Sequence, residues 1–310
     1  MPRMPTFIVI GAPKAGTTAL YQYLRAHPQV YMSPVKETTF FRYAPEDLQT
    51  GRPDHLAKGT IRSLAAYQAL FDGITDERAA GEASPQYLHS PLAAANIKEH
   101  LPDTQIIAVL RHPVDRAYSQ YMMHVNAGRL PYRPFEDFFR ETLPRLDAWD
   151  RMPHACYGLG RSFYYEALRR YYDVFARDQI RVYRSDDLHA RRAEVLADLY
   201  GFIGVDATFQ PDHTPPHNVG GGMPRNRMLH RLVAGQGRLR DGLKRLVPAM
   251  WRHPLRRFLL RQTRTPKQAL DRAVRDEFFA VYREDMRQTQ HLTGLDLSIW
   301  FPEADDARFE

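Results

Sequence analysis

The sequence predicts an α/β fold in which a central parallel sheet is flanked by helices and closed by a helical C-terminal layer. Two short apolar runs, Phe7-Ile8-Val9-Ile10 and Gln105 to Leu110, are unbroken and rich in β-branched residues, as strands buried on both faces are. Strand-like and helix-like segments alternate over roughly two hundred residues, the pattern of a parallel sheet wrapped by helices. No internal repeat or low-complexity tract interrupts them.

Each element follows from local signals. After the first strand a loop opens at Gly11, and a helix from Thr18 to Ala26 ends at His27-Pro28, because proline disfavours helix at the residue before it. Val30-Tyr31-Met32 is a short strand. Residues Ala44 to Gly59 are polar with two prolines and read as an irregular surface excursion. Helical spacing returns through Ile61, Leu64, Tyr67, Leu70 and Phe71. A weak strand at Ala79 to Ala83 is followed by a helix from Pro91 to His100. After the strong strand at Gln105 to Leu110, Pro113 opens a helix that runs to Asn126, since its missing N–H would be unpaired there anyway. A helix at Phe163 to Phe175, a strand at Gln179 to Tyr183 and a helix at Ala193 to Ile203 complete the alternation. Residues 212–222 are loop-like, with Pro215-Pro216 and Gly220-Gly221-Gly222; two helical stretches follow, a basic one and then Lys267 to Leu292, before Leu295 to Trp300 closes the fold. No linker separates these parts, so one domain over 1–310 is expected.

Composition narrows the function classes. The chain has 310 residues, 44% hydrophobic and 25% charged, as soluble globular proteins do. Cys156 is the only cysteine, which excludes an internal disulfide and a zinc cluster of cysteines and is compatible with a reducing compartment. No run approaches about 18 apolar residues, and Met1 to Pro5 leads straight into the first strand without a charged-then-apolar leader, so a cytoplasmic protein is expected. The net charge of +7 is concentrated: Arg225 to Arg264 holds twelve Lys or Arg and one acid, Asp241. Apolar residues follow helical spacing through that segment, broken by Pro248 and Pro254. Three readings stay open for it: a solvated face, a peripheral contact with an anionic membrane, or a grip on an acidic acceptor.

The loop Gly11-Ala12-Pro13-Lys14-Ala15-Gly16-Thr17-Thr18 has the makings of an anion site. Backbone amides and the positive end of a helix dipole would hold an oxyanion, with the Lys14 ammonium and two hydroxyls beside it. Gly11 and Gly16 are expected to let backbone approach the ligand. In the nucleotide-triphosphate loop GxxxxGK[ST] the lysine follows the second glycine; here it precedes it. That order resembles the 5′-phosphosulfate loop of sulfotransferases that use 3′-phosphoadenosine 5′-phosphosulfate (PAPS), and Leu110-Arg111-His112-Pro113-Val114-Asp115-Arg116-Ala117-Tyr118-Ser119 resembles their 3′-phosphate motif. The similarity is greatest to bacterial sulfotransferases related to the heparan sulfate sulfotransferase group.

The resemblance implies a P-loop-like three-layer sandwich in which Lys14, Ala15, Gly16, Thr17 and Thr18 hold the 5′-phosphosulfate while Arg111 and Ser119 hold the 3′-phosphate. It further implies a late glycine- and arginine-containing loop over the nucleotide, for which Gly220, Gly221 and Arg225 are the candidates; a solvent-exposed turn is the alternative. Sulfuryl transfer needs neutralisation of charge on the leaving phosphate oxygen, assigned to Lys14, and a base for the acceptor. Lys36-Glu37-Thr38-Thr39-Phe40-Phe41 looks like the segment bearing the glutamate base of heparan sulfate 3-O-sulfotransferases, so Glu37 is the candidate, and desolvation beside aromatic rings would strengthen a carboxylate in that role. A salt bridge to Lys36 or an arginine is the plain alternative. Where those enzymes carry Glu-Lys-Ser-Pro this chain has Glu82-Ala83-Ser84-Pro85, so acceptor handling is expected to differ. His89, His112 and His124 stay open as bases, because phenol and steroid sulfotransferases use a histidine.

Two cationic residues admit plainer readings: Arg111 could pair with Asp115, and Arg116, early in its helix, is expected to pair with a surface acid. No metal is expected, PAP is the expected product, and the acceptor is a glycan, lipid, peptide or small metabolite. The competing functions are a nucleotide-dependent kinase and a basic membrane- or nucleic-acid-binding protein on a nucleotide-binding fold; nucleic acid is not expected as a partner.

Overall fold

A computed structural model describes residues 4–44, 61–127, 129–131, 133–146, 157–211 and 270–302. By their contacts these fall into two compact units. The first takes the described residues up to 111, 164–211 and 284–300; the second takes those within 112–163, 270–283 and 301–302.

The first unit holds a five-stranded sheet in which every pairing is parallel. Its strands are β1 (Phe7–Gly11), β2 (Val30–Met32), β3 (Ala79–Ala83), β4 (Gln105–Leu110) and β5 (Ile180–Arg184), in the order β2-β3-β1-β4-β5. β1 is central and buried along its whole length, which explains its unbroken apolar sequence. β3 is equally buried although its sequence, AAGEA, is a poor strand former. The reason lies in its neighbour. Gly81 pairs with Phe7, and a Cβ at Gly81 would sit 2.2 Å from the Phe7 ring, so small residues here make room for a large one on β1. Among the described strands β5 pairs with β4 alone, and it is partly exposed, as an edge strand is.

Helices flank this sheet. α1 (Thr17–Ala26) packs on β2 and β3 through a face that includes Leu20, Tyr21 and Leu24, and ends at His27 in the extended conformation that Pro28 favours. α2 (Leu64–Gln68) begins later than the spacing from Ile61 suggested, because the Ser63 hydroxyl accepts the Ala66 amide and caps it there. It tightens into a 3-10 turn over Ala69–Phe71. α3 (Ala93–His100) follows β3.

The second unit is helical. α4 (Pro113–Asn126) has the bounds its proline predicts. α5 (Phe135–Thr142) is not among the elements expected above, although Phe135, Phe138, Phe139 and Thr142 recur at i, i+3, i+4 and i+7 and are all buried. α6 (Tyr157–Gly160) is a single turn.

Back in the first unit, α7 (Tyr165–Tyr172) is shorter than expected. Asp285 accepts the amides of Tyr164 (2.7 Å) and Tyr165 (3.2 Å), so a carboxylate 120 residues away sets its start. α8 (Ser185–Ala190), also unforeseen, and α9 (Arg192–Phe202) pack on β5. The single helix expected over Lys267 to Leu292 is instead two: α10 (Arg272–Phe279), which packs on α4, and α11 (Arg283–Thr293), which belongs with the sheet. The break falls where Tyr282 is fully buried and its hydroxyl donates to the Leu159 carbonyl, fixing the chain between the helices. In the same unit Phe278 of α10 stacks on Phe139 of α5 at 3.9 Å between ring centroids. The expected C-terminal layer is therefore divided between the two units.

Candidate functional site

Because β1 lies between β3 and β4, the residues that leave these three parallel strands emerge side by side at the carboxyl edge of the sheet. Ligands of open α/β sheets collect at this edge, where the strand order reverses. The anion loop follows β1, Ser84 follows β3 and Arg111 follows β4.

The loop is tied down at its start. The Ala12 amide donates to the Val109 carbonyl (2.7 Å) and the Ala15 amide to Ala12 (3.2 Å). Gly16 is the N-cap of α1 with φ 99°, a left-handed conformation that favours glycine, and Lys14 also lies in that region at φ 72°. Among the described residues no side chain caps α1, and no acid sits in its first turn, which leaves the positive end of the helix suited to an anion. Thr17 and Ala15 are buried, Lys14 and Thr18 half-buried. Gly11 has a different reason from the ligand approach expected of it. A Cβ there would lie 2.6 Å from Leu88 Cβ, so its missing side chain makes room for protein.

Arg111 reaches the loop directly: its Nη1 donates to the Lys14 carbonyl at 3.1 Å, and its own carbonyl accepts from the Tyr164 hydroxyl at 2.8 Å. Asp115, the alternative partner for Arg111, instead pairs with Arg275 at 3.2 Å in the second unit. Ser119 is half-buried on α4, in that unit. Arg116 departs from expectation. It is fully buried, and it donates to Ser162 Oγ (2.8 Å), Gln120 Oε1 (2.8 Å) and the Gly158 carbonyl, bonding α4 to α6.

Glu37 reaches the same edge through its backbone, whose amide donates to the Ala83 carbonyl at the end of β3 (3.0 Å). Its φ is 64° and that of Thr39 is 55°. Together with Lys14 these are the non-glycine residues described in the left-handed region, and strain of this kind gathers at functional sites. The aromatic surroundings expected for the Glu37 carboxylate are not those it has. Its side chain is 44% exposed and pairs with Lys36 at 2.7 Å, while Phe40 and Phe41 are buried against Tyr67.

The desolvated carboxylate of this region is Glu82 on β3, which the sequence reading did not single out. It is fully buried and accepts four hydroxyls: Thr38 (2.7 Å) and Ser84 (2.9 Å) on Oε2, Tyr67 and Tyr87 (3.0 Å each) on Oε1. Burial pushes its pKa up, and the four hydroxyls pull against that shift. An acid within an otherwise apolar buried strand, followed by Ser84 and Tyr87, was the available signal. Asp285, half-buried, is a second desolvated carboxylate, raised to about 6 by desolvation against the opposing pull of the α7 amides.

The histidines left open as bases are buried: His89, His112 and His124 are each at most 8% exposed. Gly220, Gly221, Arg225, the basic segment 225–264 and Cys156 lie outside the described residues. Among the described residues no cluster of His, Cys, Asp or Glu is arranged to hold a metal ion, and no helix is long and apolar enough to cross a membrane. An open recess of about 490 Å³, lined by Arg287, Gln290, His291, Gly294 and Asp296, contains none of the candidate residues.

Comparison with known proteins identifies the family and the fold. The profile of the Sulfotransferase family matches residues 5–210. The chain is 34% identical over 118 residues to membrane-associated sulfotransferase kil1 of Dictyostelium discoideum, covering 38% of this chain and 22% of that protein. It is 27% identical over 211 residues to the bifunctional heparan sulfate N-deacetylase/N-sulfotransferase 3 of Homo sapiens, covering 66% and 22%. The chain thus spans about a fifth of the length of these relatives. A crystal structure of a sulfotransferase from Alicyclobacillus acidocaldarius superposes with a TM-score of 0.68 at 28% identity, covering 96% of this chain and 99% of that one. With two thirds of its length matched by one profile and its fold shared with a solved member, this chain belongs to the sulfotransferase family.

Proposed function

We propose that this protein transfers a sulfuryl group from PAPS to a hydroxyl or amine acceptor. The observation that carries this reading is the convergence, at one sheet edge, of an uncapped helix start, the Lys14 backbone bonded to Arg111, and Glu37 held to the end of β3. This set fits a nucleotide that is anionic at both ends: helix amides and cationic side chains are chemically suited to phosphate and sulfate, and no acid in the first turn of α1 repels them.

PAPS, when bound, supplies an activated sulfuryl group and a phosphate leaving group. Lys14, Ala15, Gly16, Thr17 and Thr18 hold the 5′ end, and the Lys14 ammonium neutralises charge arriving on the leaving oxygen. Arg111, joined by Ser119 as the motif implies, holds the 3′-phosphate through its planar fork. Glu37 takes the acceptor's proton. Lys36 engages its Oε1, so Oε2 is the oxygen assigned to that proton in this scheme. Gly220, Gly221 and Arg225 are the residues to which the family resemblance assigns the covering of the nucleotide.

Relatives named heparan sulfate sulfotransferases make a glycan the first acceptor class to screen. The name of the Dictyostelium relative adds a reason to test the basic segment 225–264 on anionic vesicles, alongside the proposed cytoplasmic location. The central experiment pairs binding with turnover. Adenosine 3′,5′-bisphosphate should raise the thermal midpoint in EDTA, where ATP and DNA do not, and Glu37→Gln should abolish transfer of labelled sulfate while keeping that binding. Stabilisation by ATP with magnesium alone would favour the kinase reading, and normal turnover in the variant would remove Glu37 from the mechanism.

A further inference from the structure

Glu82 and its hydroxyls do more than fill the space under β3. Each hydroxyl has one proton, and a proton donated to the carboxylate leaves that oxygen's lone pairs free to accept. Three of the four oxygens use them on the chain that carries Glu37. Ser84 Oγ accepts the Thr39 amide at 3.3 Å, Tyr87 accepts the Phe41 amide at 3.3 Å, and Thr38 Oγ1 accepts the Phe40 amide at 3.5 Å. Tyr67 donates to Glu82 at 3.0 Å and is not among the acceptors of these amides.

We propose that Glu82 is a positioning residue: its buried carboxylate orients Thr38, Ser84 and Tyr87 so that their oxygens hold the amides of residues 39–41, fixing the strained backbone that presents Glu37. The inference rests on the proposed role of Glu37 for its catalytic consequence, but the hydrogen-bond relay stands on its own geometry. The carboxylate is uniquely suited because it accepts on both oxygens. A glutamine at 82 must turn an NH₂ toward one pair. If it faces Thr38 and Ser84, both hydroxyls lose Oε2 as the acceptor for their protons, and the proton of Thr38 must turn to Tyr87, 2.9 Å away. If it faces Tyr67 and Tyr87, the Tyr87 proton must turn to Thr38. Either orientation redirects the proton of a hydroxyl that accepts an amide of residues 39–41 and so disturbs the geometry in which it accepts.

The test compares Glu82→Gln, Ser84→Ala and Tyr67→Phe in the full chain, reading amide hydrogen exchange, kcat, KM for PAPS, and affinity for adenosine 3′,5′-bisphosphate. Glu82→Gln and Ser84→Ala should speed exchange at residues 39–41 and lower kcat on the order of 10–100-fold, as small misplacements of a reacting group do, with nucleotide affinity and KM for PAPS near wild type. Tyr67→Phe keeps the three relay oxygens, so exchange at 39–41 and kcat should stay near wild type even if its melting midpoint falls. Unchanged exchange and kcat in a folded Glu82→Gln protein, or equal losses of kcat in Tyr67→Phe and Ser84→Ala, overturns the proposal. Should Glu82→Gln not fold, the contrast between Ser84→Ala and Tyr67→Phe decides it. A wild-type protein without sulfuryl transfer to any acceptor would indict the reaction assigned above and leave amide exchange to judge the relay.

Discussion

Replacing Asp285 with asparagine should make the protein more stable at pH 8 and change its stability little at pH 4. Asp285 caps α7 from inside the molecule, and desolvation raises its carboxyl from 3.8 to about 6. A group whose folded pKa lies above its unfolded value contributes its stability fully below the unfolded pKa, near pH 4, and loses it as pH rises through the folded one. A difference of roughly two units corresponds to about 3 kcal/mol between pH 4 and pH 7. Asparagine offers a neutral oxygen to the same two amides, so the cap survives and the desolvated charge does not. Urea unfolding of both proteins at pH 4, 5, 6, 7 and 8 reads the effect. The wild type should lose stability relative to Asp285→Asn across pH 4–7, ending about 2–3 kcal/mol below it at pH 8. Parallel pH profiles, or a variant less stable than wild type at pH 8, would show that the carboxylate is not held neutral by its surroundings.

Three further outcomes follow from packing. Gly16→Ala forces a Cβ into the left-handed N-cap of α1 and should cost about 1–2 kcal/mol while weakening adenosine 3′,5′-bisphosphate binding, read by thermal shift and titration. Gly11→Ala should destabilise by about 1–3 kcal/mol through overpacking on Leu88, and Leu88→Ala in the same chain should recover little of that loss because the nearest contact, at 2.6 Å, is to the Leu88 Cβ that alanine keeps. Arg116→Lys cannot satisfy Ser162, Gln120 and Gly158 together and should lower stability by about 1–3 kcal/mol for each polar group left unpaired, measured by denaturant midpoint.

What the sequence revealed and what it hid divide along the range of the interactions. β1, β4 and α4 are legible because their signals are local: an apolar run, or a proline at the first helical position. The approach of Arg111 to Lys14 was also accessible, since each follows a strong parallel strand and such strands bring their carboxyl ends to one edge. The start of α7, the bonds from Arg116 to Ser162 and Gly158, and the approach of Thr38 to Glu82 were not, because each joins residues tens of positions apart. The case of β3 is instructive. Its sequence looks weak as a strand because its small residues answer to the Phe7 ring, a demand no window on 79–83 contains. Glu37 shows the converse, for neighbouring aromatic residues in sequence did not mean aromatic surroundings in space.

The claim on which the functional reading turns is that residues 14 and 111 grip opposite ends of one adenosine bisphosphate. Calorimetric titration of wild type and Arg111→Ala, in EDTA, with adenosine 3′,5′-bisphosphate and with adenosine 5′-phosphate tests it most directly. A charge-assisted contact of about 1.5–3 kcal/mol predicts that the variant loses about 10–150-fold in affinity for the bisphosphate and little for the monophosphate. Equal losses for both ligands, or none for either, would contradict it.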